Sequence, residues 1–125
     1  MPLTILPNNA NPSTIRLSMI GEWIWSDLFA INEELHDLIL RSKNPVTLIV
    51  DMRYSTTHLK DLVHYASKLE FNQQQHFMQI IVVTLNPKIA HLVASINALS
   101  KYTECLTVKS LDEAHRLNKL HHSSV

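Results

Sequence analysis

Apolar residues alternate or cluster in five short stretches that predict β-strands. Residues 14–20 alternate between apolar and polar side chains, which is the period of a strand with one buried face. Residues 46–52 and 78–85 are almost continuously apolar, as expected for strands covered on both faces of a parallel or mixed sheet. Shorter apolar runs at residues 3–6 and 105–108 predict two further strands, so the sheet should contain about five.

Apolar residues at helical spacing predict four helices between and after these strands. The first should cover residues 26–42, with Ser26 as its cap, because apolar side chains recur every three or four positions there. The second should cover residues 59–69 for the same reason. Both lie where a parallel sheet needs a crossover connection.

Capping signals mark the last two helices. Asn86 followed by Pro87 predicts the start of the third helix, since proline is favoured at the first helical position. Ser110 and Glu113 have the spacing of a capping box and predict the start of the fourth. Residues 121–125 are expected to form a disordered tail.

The order of these elements predicts an α/β fold. It consists of an opening hairpin, followed by parallel strands that right-handed helical crossovers connect. The chain of 125 residues is the size of one domain, and no linker divides it. A mixed sheet in a single domain, residues 1–125, is therefore expected.

Composition narrows the classes of function. The formal net charge is zero, so no broad electrostatic field favours nucleic acid. A single cysteine, Cys105, excludes an internal disulfide, and no apolar run suits a membrane span or signal peptide, so we expect a cytoplasmic protein.

The single glycine, Gly21, excludes glycine-rich phosphate loops. The eight histidines lack ligand spacing, so no metal or other cofactor is expected.

Three stretches together resemble a known family: residues 17–23, 48–51 and 108–114. Their order and spacing resemble the STAS family, which has the SpoIIAA-like fold of anti-sigma factor antagonists. Residues 21–25 and 50–53 look more narrowly like a bacterial STAS/SEC14-like set. The resemblance implies a non-enzymatic regulatory module that binds a protein partner, such as a kinase or an anti-sigma-type regulator.

The resemblance also implies the location of a regulatory site. In the family, a partner kinase phosphorylates a serine in an Asp-Ser-Ser-Gly turn after the central strand. Residues 54–57 of this chain lack the glycine and the acidic residue, so only the location carries over. Ser55 and Thr56 are the phospho-acceptor candidates, at a predicted helix start where the dipole favours phosphate. Ordinary helix capping by Thr57 is the competing interpretation.

Polar residues at the ends of the two central strands predict a polar rim for partner binding. These are Asp51, Arg53, Thr57, Thr84 and Asn86. Alternation places Asp51 and Arg53 on the same side, where they can pair with each other or with Asn86. The acidic residues that a magnesium-dependent phosphoacceptor needs are missing around Asp51, which favours a structural ion pair and no enzymatic activity.

Aromatic residues near the first helix support an alternative function. Trp23, Trp25 and Phe29 are candidates to line an apolar pocket, which would make the protein a carrier of a lipid or another small apolar ligand. Packing of the same rings in the core is the competing interpretation. The short strand at residues 3–6 offers an edge through which a homodimer can form.

Overall fold

Five strands form one mixed sheet in the computed structural model, which describes residues 3–7, 14–41, 46–56, 60, 77–99 and 104–123. The strands are β1 (Leu3–Pro7), β2 (Thr14–Gly21), β3 (Val46–Ser55), β4 (Phe77–Val83) and β5 (Glu104–Val108). Their order in the sheet is β1-β2-β3-β4-β5. β1 is antiparallel to β2, and the other neighbours are parallel. The predicted mixed sheet with an opening hairpin is confirmed.

Three helices lie in the same described ranges: α1 (Trp25–Arg41), α2 (Pro87–Leu99) and α3 (Leu111–Ser123). The helix predicted at residues 59–69 falls outside these ranges, apart from Lys60, which is helical. Residues 121–123, expected in the tail, are part of α3.

The larger part of the core lies on the face of the sheet that α1 and α2 cover. Ile15, Leu17 and Met19 of β2 are no more than 6% exposed and point to this side. β3 and β4 contribute alternate side chains to the same cluster, and α1 contributes Leu28, Ile31 and Leu35, which are three and four residues apart. This is the apolar stripe that makes an amphipathic helix pack on a sheet.

The opposite face of the sheet is covered by α3. Ile49 and Ile81 are fully buried there, and Ala114 of α3 packs against them. β3 and β4 thus bury both their faces, which is why their sequences lack the alternation seen in β2. The described elements form three layers over β3, β4 and β5.

Local signals at the helix starts are mostly as predicted. The Asn86 side chain accepts a hydrogen bond from the Lys88 amide at 2.9 Å, and Ser110 Oγ accepts one from the Glu113 amide at 3.2 Å. The prediction that Ser26 caps α1 is wrong, because α1 begins one residue earlier. Asp27 Oδ2 instead accepts a hydrogen bond from the Ile24 amide at 3.0 Å, so the aspartate orders this turn.

Two strand ends differ from the prediction. β3 continues to Ser55, because Tyr54 and Ser55 pair with the last two residues of β2 beyond a register shift. Ser55 is therefore a strand residue and not a residue of the following loop. β4 ends at Val83, and the next apolar residue, Leu85, is 72% exposed.

Candidate functional site

Asp51 lies at the centre of a charged cluster near the carboxyl end of β3. Its side chain is only 2% exposed. Arg53 donates to both carboxylate oxygens at 2.9 Å through Nε and Nη2, and the Arg53 amide donates to Oδ1 at 3.2 Å. Arg16 of β2 is a second ion-pair partner, with Nη2 at 3.6 Å from Oδ2. The sequence predicted the ion pair of Asp51 and Arg53. Asn86, the alternative partner, instead accepts a hydrogen bond at the start of α2.

The cluster keeps Asp51 ionised. Burial by itself raises the pKa of this carboxyl, but the hydrogen bonds and charge of Arg53, with the charge of Arg16, outweigh burial and hold the pKa below its ordinary value. The same hydrogen bond raises the pKa of Arg53. A carboxylate that is buried and occupied by a bidentate arginine has little capacity to act as a nucleophile or a base.

The two phospho-acceptor candidates differ in their surroundings. Ser55 is half-buried, and its Oγ accepts a hydrogen bond at 2.9 Å from the indole N–H of Trp23. Thr56 is exposed, and its amide donates to the Gly21 carbonyl at 2.9 Å. Gly21 has a φ of 68°, which few residues with a side chain adopt, and this turn brings Trp23 under the end of β3.

The connection from β4 to α2 forms the neighbouring part of the rim. Thr84 is 3% exposed; its amide donates to the Val108 carbonyl at 3.0 Å, and its Oγ1 accepts from the Asn86 amide at 3.1 Å. Thr84 thus orders the turn in which Leu85 is exposed and Asn86 caps α2. Of the predicted rim residues, Thr57 lies outside the described residues.

Exposed apolar side chains also occur in these segments. Tyr54 is 59% exposed, Ile24 is 56% exposed and Leu85 is 72% exposed. The Arg53 guanidinium lies 5.1 Å from the centre of the Tyr54 ring, a distance at which a cation and an aromatic face attract. We call residues 54–56 and 84–86 the carboxyl edge, because β3 and β4 are parallel neighbours and end on the same side.

The candidates for an apolar pocket are placed in different ways. Trp23 is 3% exposed and packs in the core on the α1 side of the sheet. Phe29 is 52% exposed on α1. Trp25 is the first residue of α1, and its side chain lies outside the described part of the structure. Trp23 thus has a packing role, and the carrier hypothesis stays a prediction.

Two features of this region had not been predicted. Arg16 joins Asp51 because β2 is parallel to β3 with Ser18 beside Asp51, a neighbour relation that no local pattern encodes. Leu85 had been placed in a buried strand because apolar residues run without interruption up to it. The Asn86-Pro87 pair that follows was the available signal that the chain leaves the sheet before this point.

The comparison with solved structures confirms the fold. The chain is similar to an uncharacterised protein from the DUF3478 family with a SpoIIAA-like fold, from Shewanella loihica PV-4. The TM-score is 0.69 at 12% sequence identity, and the match covers 92% of this chain and 90% of that chain. No protein-family model and no curated protein matches the sequence. The protein therefore has the SpoIIAA-like fold, as the resemblance implied.

None of the helices in the described ranges is both long and apolar enough to cross a membrane.

Proposed function

We propose that the protein is a non-enzymatic regulatory module that binds a protein partner through the carboxyl edge. The observation that carries this proposal is the exposure of Leu85 and Tyr54 at the carboxyl edge, which also contains the Ser55 and Thr56 hydroxyls. Clustered exposed apolar residues with a polar surround are typical of protein interaction sites. The SpoIIAA-like fold supports the same class of function only by analogy.

Phosphorylation is the proposed means of regulation. Thr56 is exposed at the end of β3, and a phosphate there would add charge beside the apolar contact residues and repel an apolar partner surface. A phosphate on Ser55 would be esterified to the same oxygen that accepts the Trp23 hydrogen bond, and its bulk and charge there would also disturb the start of α1. Cytoplasmic location and a kinase or anti-sigma-type partner belong to the same proposal.

Site-specific photo-crosslinking in the native cells tests the interaction. A photoreactive amino acid at position 85 should give a covalent adduct with a defined protein. The same group at exposed Glu104, at the amino end of β5, is the matched control and should not give that adduct. Equal adducts from both positions, or none from position 85, would contradict the proposed docking site.

Two variants at Thr56 test whether negative charge at this position controls binding of the partner. Thr56→Glu adds a negative charge, whereas Thr56→Gln has nearly the same size without it. We expect the glutamate variant to lose most of the position-85 adduct and the glutamine variant to keep it. The same yield from both variants would show that charge at Thr56 does not control binding.

A further inference from the structure

Among the described elements, α3 covers one face of the sheet over β3, β4 and β5, and none of them covers that face over β1 and β2. Beneath α3, Ile49 and Ile81 are fully buried. On the neighbouring strands of the same face, Leu6 is 42% exposed and Ile20 is 56% exposed. We call the five side chains on this side of β1 and β2 the open sheet face: Thr4, Leu6, Arg16, Ser18 and Ile20.

Strand geometry places these five residues together. Ile15, Leu17 and Met19 point towards α1, so the residues between them and Ile20 point the other way. The register of the hairpin then puts Leu6 beside Arg16 and Thr4 beside Ser18. The open sheet face therefore has Leu6 and Arg16 side by side at one end, Thr4 and Ser18 in the middle, and Ile20 at the other end.

The charge of this surface is incompletely balanced. Asp51 is already bound by Arg53 through two hydrogen bonds, and Arg16 approaches it only at 3.6 Å. Arg16 Nε is buried without a hydrogen-bond partner. Two guanidinium groups share one carboxylate, so the surface attracts a further carboxylate, for which arginine is a strong partner.

The outer side of α1 has the complementary character. Leu28, Ile31 and Leu35 face the core, and the opposite side of the helix exposes three carboxylates together with Phe29, which is 52% exposed. The carboxylates are those of Glu33, Glu34 and Asp37. α1 packs on the other side of the sheet and contacts β1, so its outer side and the open sheet face point in opposite directions.

We propose that α1 of one copy of this protein docks on the open sheet face of the next copy. Glu33, Glu34 and Asp37 would face Arg16 and Arg53, and Phe29 would pack against Leu6 and Ile20. The two surfaces differ, so the contact is head-to-tail and leaves one free surface of each kind at the ends of every assembly. A formal net charge of zero does not oppose such association. Ile20 pairs with Tyr54, so the open sheet face adjoins the carboxyl edge, but the proposed contact uses neither Leu85 nor Thr56.

Light scattering of the purified full chain over a range of concentrations tests the proposal. We expect the mass to rise with concentration and to continue beyond a dimer. Ile20→Glu adds a negative charge to the open sheet face, which would repel the carboxylates of α1. Glu33→Arg with Glu34→Arg reverses the charge of α1. Each variant alone should associate at least about tenfold more weakly than the wild type. Asp112→Arg on α3 is the matched charge reversal and should assemble like the wild type.

Mixing the two blocked variants gives the sharpest result. One variant keeps an intact α1 and the other an intact open sheet face, so the mixture should form a one-to-one dimer and nothing larger. A wild type that stays monomeric, a blocked variant that still dimerises alone, or a mixture that remains monomeric would each overturn the proposal. Circular dichroism verifies folding, and Leu6→Glu on β1 replaces Ile20→Glu if that variant does not fold.

Discussion

At the scale of single residues, Asp51 carries the most consequential interactions of the candidate site. It holds Arg53 and Arg16, and it does so from a position that is 2% exposed. Removing one partner of a buried, hydrogen-bonded charge costs more than the contact alone, because the remaining groups lose their partner as well. The cluster therefore has a structural role whatever binds nearby.

Asp51→Asn should lower the free energy of unfolding by about 2 kcal/mol at neutral pH. The pKa of Asp51 is below its ordinary value of 3.8, so the stabilisation is fully present above that pH and is lost as the pH falls through the folded-state pKa. Urea unfolding of both proteins between pH 7 and pH 3 measures the difference, which should shrink at the acidic end. Asp37→Asn, on the exposed side of α1, is the control. A difference independent of pH would contradict the assigned role of the charge.

Gly21→Ala should destabilise the protein even though the new methyl group meets nothing within 4 Å. The cause is the backbone, since φ at Gly21 is 68° and a side chain makes that conformation costlier by about 1–2 kcal/mol. Thermal or urea unfolding measures the loss. Gly21→Asn should lose less, because asparagine tolerates this region better. Equal stability of the alanine variant would show that the turn relaxes.

Several residue-level predictions follow from local pattern alone and are confirmed. The alternation of β2 identified its buried side chains, and the Asn86-Pro87 and Ser110-Glu113 signals identified two helix starts. The role of Trp23 was not predictable in this way. Its indole N–H finds Ser55 across 32 positions of sequence, and such a contact depends on the sheet bringing β2 and β3 together.

At the scale of elements, the hydrogen bond from Trp23 to Ser55 connects the loop before α1 to the end of β3. Thr56 adds a backbone bond to Gly21 in the same place. These contacts link the two phospho-acceptor candidates, Ser55 and Thr56, to the loop that leads into α1. A change at Ser55 is therefore expected to affect the stability of α1 as well as the rim.

Ser55→Ala should cost about 1–2 kcal/mol, because it leaves the buried indole N–H without this acceptor. A double-mutant cycle with Trp23→Phe separates this interaction from the loss of packing. The coupling energy in the cycle should be about 1 kcal/mol. Independent, additive effects of the two substitutions would show that the 2.9 Å contact contributes nothing to stability.

The ends of elements were predicted less well than the elements themselves. β3 extends to Ser55 because pairing with β2 continues past a register shift. β4 stops at Val83 because Thr84 turns the chain and bonds to Asn86 and to the end of β5. Both differences depend on the neighbouring strands, and a single segment of sequence does not contain that information.

At the scale of the whole molecule, the sequence predicted the mixed sheet and its helices but not the coverage of the two faces. Alternating strands and helices require crossovers, and the two central apolar strands require cover on both sides. Which strands α3 covers depends on its packing against β3, β4 and β5. The open sheet face over β1 and β2 follows from that placement and is visible only in three dimensions.

Binding of the protein captured at position 85 to two charge variants tests the proposed docking site most directly. Leu85→Asp changes the most exposed apolar residue of the carboxyl edge, whereas Ala98→Asp adds the same charge at an exposed position near the end of α2, outside both proposed surfaces. Calorimetry with the captured partner should show affinity at least about tenfold weaker for Leu85→Asp and nearly unchanged for Ala98→Asp. Unchanged affinity for Leu85→Asp, or equal losses for both variants, would contradict docking at the carboxyl edge.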